Sequence, residues 1–503
     1  MVHRFDLHKA GCRVTVLCAM ACLLTAAAFA APAVSLSKVT GPPTTSFLVS
    51  GTGFTANRLV DIYFDTTDVA LVVSSPSGTF SKIALQVPAA ALPGMHWVTA
   101  ALRNSGIAAQ TSFLVQTNWT EYGFTPAGKR YNPYENVLNP STVGSIDLDW
   151  GFAVGVGNSS PAVANGVLYV GSPDSNVYAL NASTGAQVWS FLTGGGVLSS
   201  PAVANGIVYV GSNDDNVYAL NASTGAKVWS FATGSSVESP LTVANGVVYV
   251  GSDDNNVYAL NASTGAKVWS FATGNPVDSS PAVANGIVYV DSSDNHLYAL
   301  DANTGAMLWS RGISLYFSVS PAVANGAVYV GSSDGNIYAF NARYGRFLWA
   351  FATGGSVDSS PAVGNGVLYE EGVGGILYAV NAGTGALLWS FQTYATLTTA
   401  PAVANGVVYV GGDNRYMYAL NASTGALLWS FSTAGAVSSS PAIVNGTLYA
   451  GSNDGTLYAF DQAGGMLAKR HGSAKRPDPL KLIPDHSLTI SRPSKAGAPM
   501  ATD

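Results

Sequence analysis

A proline recurs along this chain at Pro161, Pro201, Pro240, Pro281, Pro321, Pro361, Pro401 and Pro441, and the residues between recur with it. The period is 40 residues, with one 39/41 slip around Pro240. A period of this length marks supersecondary units that cannot bury an apolar face alone and must stack on their neighbours. Residues 240–274 read P-L-T-V-A-N-G-V-V-Y-V-G-S-D-D-N-N-V-Y-A-L-N-A-S-T-G-A-K-V-W-S-F-A-T-G. Three turn signals divide this unit into four strands. The first is Asn-Gly, from Asn165-Gly166 to Asn445-Gly446, a pair suited to hairpin turns because both residues tolerate positive φ. The second is a polar loop such as Asp253 to Asn256, and the third a Thr-Gly turn such as Thr264-Gly265. The runs between them, V-V-Y-V, V-Y-A-L and K-V-W-S-F, are β-branched or aromatic and too short for helices.

Four strands every 40 residues, eight times over, predict an eight-bladed β-propeller spanning residues 146–470. Trp189, Trp229, Trp269, Trp309, Trp349, Trp389 and Trp429 fall on the fourth strand, whereas the eighth unit has Lys469 there. Trp150 stands before Pro161 much as Trp189 stands before Pro201, so residues 146–152 are expected to supply the outer strand of the last blade. Each of these tryptophans can bury ~150–250 Å², on the order of 5 kcal/mol, so the series is read as blade docking.

The repeat G-x-[VIL]-Y-A-L-[ND]-A-x-T-G-x-x-x-W resembles the PQQ repeat of quinoprotein alcohol dehydrogenases and of propeller lipoproteins that assist outer-membrane protein assembly. The resemblance implies blade docking through the third-strand Ala, the Thr-Gly turn and the Trp, as at Ala259, Thr264, Gly265 and Trp269; blade 5 departs with Arg343-Tyr344. For the dehydrogenases it implies PQQ in the channel over a Trp and under adjacent cysteines, Ca²⁺ on Glu, Asn and Asp, and an Asp base. The segment from Trp119 to Trp150, with N-W-T-E-Y-G-F and R-Y-N-P-Y-E-N-V, is similar to the lead-in of PQQ-like proteins that are not dehydrogenases, and residues 118–145 are read as a lead-in linker.

Residues 34–117 carry short alternating stretches between Gly/Pro turns, the pattern of a small antiparallel sandwich. Their G-T-G-F and A-L-P-G-M-H-W-V pieces resemble IPT/TIG-like immunoglobulin-fold domains. Arg4, Lys9 and Arg13, the uncharged run from Val14 to Ala30 and its Ala28-Phe29-Ala30 end predict a signal peptide over residues 1–30. About 17 uncharged residues fall below the ~20 of a spanning helix, so membrane contact is expected only if this segment stays uncleaved. Cys12, Cys18 and Cys22 all lie within it, which leaves a chain starting at Ala31 without thiol chemistry. Residues 471–503 have no hydrophobic period and read as a disordered tail.

A formal charge of -6 with no basic run in the repeats argues against nucleic-acid binding. The recurrent turn aspartates, such as Asp174 and Asp214, are read as turn chemistry. No catalytic, metal-binding or cofactor-binding set is assigned, and His96, His296 and His471 are read as lacking a carboxylate or nucleophile partner.

The function expected is a non-catalytic, monomeric exported protein, periplasmic, envelope-bound or extracellular, that binds a partner protein or envelope polymer. PQQ-dependent alcohol or sugar oxidation, with calcium, is the alternative. The candidate surface lies over blades 4 to 7, where the repeat breaks down: Arg311, Tyr316, Phe317, Glu370, Glu371, Tyr394, Arg415 and Tyr416. Exposed Arg and Tyr make binding hot spots, and a carboxylate such as Glu370 at an apolar strand position is costly unless paired or liganded. Arg415 is its expected partner in the absence of a ligand.

Overall fold

A computed structural model of the chain describes residues 31–155, 159–314, 319–372, 374–393 and 399–462. The predicted signal peptide, the tail beyond Gln462, Tyr316, Phe317 and Tyr394 lie outside the described residues.

Residues 33–115 form a two-sheet sandwich. One sheet joins Ala33–Leu36, Ser46–Thr52 and Phe80–Gln86; the other joins Thr40–Gly41, Ala108–Val115, Gly94–Leu102, Leu59–Phe64 and Thr67–Val73. Alternation sends Phe47, Val49, Val60, Ile62, Val98 and Phe113 into a shared core. His96 does find a carboxylate here: Nδ1 lies 2.6 Å from Asp65 Oδ2 and Nε2 lies 2.7 Å from the Leu92 carbonyl. Both ring nitrogens are thereby occupied, and the imidazole stacks on Phe64.

Eight antiparallel blades of four strands follow, the seventh joined at its inner edge by Tyr131–Asn132 running parallel to Ala402–Ala404. In blade 1 the strands are Ala162–Ala164, Val167–Gly171, Asn176–Asn181 and Gln187–Leu192. The Asn-Gly turn adopts the left-handed pair that its sequence favours, φ 53° at Asn165 and 77° at Gly166. In the third turn, Asn181 Oδ1 accepts the amides of Ser183 and Thr184. A register shift between Ala179 and Leu180 bulges the outer pair and recurs in blades 1 to 7.

Blades dock through one repeated device. Trp189 Nε1 and Tyr169 Oη, both on blade 1, donate to the same Ala222 carbonyl on blade 2, at 2.9 and 3.1 Å. The indole lies against the third turn of the next blade, where a Cβ on Gly225 would come within 2.8 Å of Trp189. Glycine is required there twice over, since φ is also +73°.

The ring closes as the missing tryptophan implied. Ile146–Ala153 is the fourth strand of blade 8, paired with Thr456–Gln462, and Trp150 Nε1 donates to Ala182 of blade 1. Closure changes one detail. Trp429 donates to the Ile146 carbonyl, and the buried Tyr409 hydroxyl, whose seven counterparts each reach an alanine carbonyl, has no hydrogen-bond partner among the described residues.

Candidate functional site

The first strand of each blade faces the central axis, so its inward edge needs partners of its own. The segment read as a linker supplies them. The amides of Val163, Val203, Val283, Val323, Val363 and Val403 donate in turn to the carbonyls of Trp119, Thr120, Pro126, Ala127, Lys129 and Arg130. Blade 3 uses a side chain, Val243 N to Glu121 Oε2 at 3.1 Å, and blade 8 is met by Asn132 Nδ2 donating to the Ile443 carbonyl. Residues 119–132 thus wind once around the axis and plug the channel.

Arg130 anchors the plug. Its buried guanidinium donates to the carbonyls of Pro401 and Pro441, at the starts of blades 7 and 8, and to that of Tyr122. It sits 4.5 Å from the Tyr122 ring and 5.7 Å from Trp119. Burial lowers its pKa to about 10 and raises that of Glu121 to about 8, so the plug carries a cation with no carboxylate against it among the described ion pairs. Beside the plug, buried hydroxyls pass bonds between blades: Ser160 N donates to Ser200 Oγ, Ser280 N to Ser320 Oγ, Ser320 N to Ser360 Oγ and Ser440 N to Ser160 Oγ.

The opposite face carries the second turns and the connections between blades, bonded to one another as in Asn213 N to the Gly196 carbonyl. The turn aspartates are consumed by the fold. Asp214 accepts from Asn216 N, Tyr218 Oη and Gly194 N; burial pushes its pKa up, but these bonds hold it below the ordinary value.

Blades 4 and 6 break the pattern on this face. Near the end of the second strand, blades 1, 2, 3, 5 and 7 carry a glycine whose added Cβ would strike the following connection, as Gly171 would strike Val197 at 2.5 Å. Asp291 and Glu371 occupy this position in blades 4 and 6. Asp291 Oδ2 accepts the Val319 amide while Oδ1 has no partner among the described residues, and burial lifts its pKa to about 7. Glu371 is 1% exposed and Glu370 fully buried; none of their four oxygens has a hydrogen-bond partner among the described residues. Burial raises both well above the usual carboxylate range, helped at Glu371 by Asp413.

These placements revise the expected surface. Glu370 does not pair with Arg415. Strand alternation points it at blade 5, where its Oε1 would lie 2.6 Å from a Cβ on Gly331, whereas Arg415 is exposed in the second turn of blade 7 at φ 71°. Glu370 and Glu371 are interior, not surface, residues. Arg311 leaves the face altogether, its Nε donating to the Gly345 carbonyl on blade 5 at 2.6 Å. Of the candidates among the described residues, Arg415 and the adjacent Tyr416, 40% exposed, are the two that stand exposed on this face. The plug escaped sequence reasoning because most of its bonds come from backbone carbonyls; the aromatic richness of N-W-T-E-Y-G-F was its one signal.

The dehydrogenase cofactor set finds no match in this geometry. The eight docking tryptophans lie on outermost strands, Trp119 belongs to the plug, and every cysteine of the sequence precedes residue 23. Among the described residues, those that surround the axis do not fit PQQ.

Comparison with known proteins agrees with the architecture. Curated relatives match over short stretches: 1-butanol dehydrogenase (cytochrome c) of Thauera butanivorans is 33% identical over 85 residues, 16% of this chain and 12% of that protein. The dehydrogenase subunit of a quinone alcohol dehydrogenase from Gluconobacter oxydans is 31% identical over 77 residues, 15% of this chain and 10% of the relative. This chain therefore spans about a tenth of the length of either. Among solved structures, BamB of Moraxella catarrhalis superposes with a TM-score of 0.56 at 22% identity, covering 63% of this chain and 99% of that one. The quinohemoprotein alcohol dehydrogenase ADHIIG of Pseudomonas putida HK5 gives 0.60 at 16% identity, covering 71% and 81%. The family model described as outer membrane protein assembly factor BamB matches residues 141–244, 216–369, 313–399 and 373–488, more than half of the chain, and the protein belongs to that PQQ-repeat propeller family.

Proposed function

We propose that this is a non-catalytic exported scaffold of the cell envelope that uses its propeller as an interaction platform. The observation that carries the reading is the plug: residues 119–132 spend their hydrogen bonds on all eight blades in the volume where a channel cofactor would sit. The face left for a partner is that of the second turns, with Arg415 and Tyr416 exposed on it. Family membership and the similarity to BamB support the scaffold; the dehydrogenase relatives motivate the opposing test.

Capture from native envelope extracts with the intact protein as bait is expected to retain a partner that Arg415→Glu and Tyr416→Ala weaken without lowering the melting temperature. In parallel, incubation with PQQ and Ca²⁺ followed by a dye-linked assay should give no turnover. Oxidation of any alcohol or sugar would overturn the scaffold reading, and undiminished capture by both variants would move the site away from blade 7.

A further inference from the structure

The outer strands change character around the ring. At the two positions before the docking tryptophan, blades 1 to 3 carry Gln187-Val188, Lys227-Val228 and Lys267-Val268, whereas blades 4 to 7 carry Met307-Leu308, Phe347-Leu348, Leu387-Leu388 and Leu427-Leu428. A lysine on an outermost strand protects its open edge. Blades 4 and 5 lack that protection, with Met307 53% and Phe347 60% exposed.

The third turn of blade 5 adds charge to the same spot. Where blade 2 reads Ser223-Thr224-Gly225-Ala226-Lys227, blade 5 reads Arg343-Tyr344-Gly345-Arg346-Phe347. Tyr344 is 57% exposed, with the guanidinium carbons of Arg343 and Arg346 at 5.4 and 5.8 Å from its ring centre. Arg311 reaches the same turn from blade 4 through the Gly345 carbonyl. None of the three arginines takes part in an ion pair among the described residues.

Three unneutralised guanidiniums beside exposed Tyr, Phe and Met side chains on a rim strand form an outward-facing surface. Arginine forks match phosphate oxygens. Tyr and Phe suit the boundary between headgroups and acyl chains, and such a rim offers a flat bilayer more contact than it offers a small ligand. From this charge complementarity we infer that the rim of blades 4 and 5 docks on an anionic lipid bilayer, with Arg311, Arg343 and Arg346 at lipid phosphates and Tyr344, Phe347 and Met307 inserted at headgroup depth. This goes beyond the scaffold reading and does not depend on the second-turn face.

The test is co-flotation of the intact protein with phosphatidylcholine vesicles and with vesicles enriched in phosphatidylglycerol; the comparison between the two removes any contribution of the N-terminal apolar segment to neutral lipid. Binding is expected to prefer the anionic vesicles and to fall as salt rises. Rewriting the blade 5 turn in the blade 2 sequence (Arg343→Ser, Tyr344→Thr, Arg346→Ala, Phe347→Lys) uses residues the fold already accepts and should weaken anionic binding roughly tenfold or more. Equal flotation with both vesicle types overturns the inference, as does an unchanged preference in the rewritten, normally melting variant. Binding to polyglutamate without binding to vesicles would assign the patch to acidic polypeptides and overturn it equally.

Discussion

Blades 2 and 6 share one backbone and disagree about their interiors. Val210 pairs with Tyr218 as Glu370 pairs with Tyr378, in the same register, yet the first pair of side chains at these positions is Val210-Gly211 and the second Glu370-Glu371, all buried. The difference teaches where the fold keeps its information. The strand ladders, the Asn-Gly turn and the Trp/Tyr pair on one alanine carbonyl define a blade; the filling at the end of its second strand is negotiable, even at the cost of two desolvated carboxyls.

If that division is right, the docking tryptophans matter equally in both kinds of blade. Trp229→Ala and Trp389→Ala should each cost ~3–5 kcal/mol in chemical denaturation, and Trp150→Ala as much, because its Nε1 makes the same bond across the closure. A much smaller loss at Trp389 would show that blade 6 is held by something other than the shared device.

The next largest effect should come from giving blade 6 the interior of blade 2. Glu370→Val with Glu371→Gly is expected to stabilise the protein by about 2–6 kcal/mol at pH 8, the cost of two polar groups buried without partners. The pH dependence fixes the sign. A carboxyl whose folded pKa exceeds its unfolded value binds its proton more tightly when folded, so the contribution of these two glutamates to stability should be most favourable below the ordinary value of 4.5 and should fall as pH rises towards the elevated folded values, while the turn aspartates held below their ordinary value act in the opposite sense at acid pH. Asp291, raised to about 7, adds a smaller decline that ends near neutrality. The double variant should flatten the first of these trends; an unchanged pH profile would show that both glutamates are charged and compensated.

The smallest test compares two hydroxyls. Tyr209→Phe removes a bond to the Ala262 carbonyl and should cost about 1 kcal/mol. Tyr409→Phe removes a buried hydroxyl without a partner and should be neutral or slightly stabilising. Equal losses would mean that the closure satisfies Tyr409 after all.

Most of the propeller was legible because each of its rules is written eight times. Trp150 could be placed on blade 8 from a single spacing, since a missing tryptophan in a closed ring has one address. Glu370 was legible as a cost but not as a geometry: its direction depends on which face of the strand meets which blade, and the expected partner Arg415 lies two blades away from the carboxyl's side of the sheet. The plug was the least legible element. A segment that caps strands through its main-chain oxygens can do so with almost any side chains, so no period separates it from a tether and only its aromatic richness marks it.

That plug also acts as a ruler. Repeats as alike as those of blades 1 to 3 invite duplication or loss of a unit, and nothing in the docking device itself specifies how many units make a ring. Residues 119–132 hold a fixed sequence of partners, one per blade, from Trp119 on blade 1 to Asn132 on blade 8. A ninth blade would find no partner waiting for it, and closure at seven would strand the Asn132 amide, so the plug matches a ring of eight from the centre of the wheel.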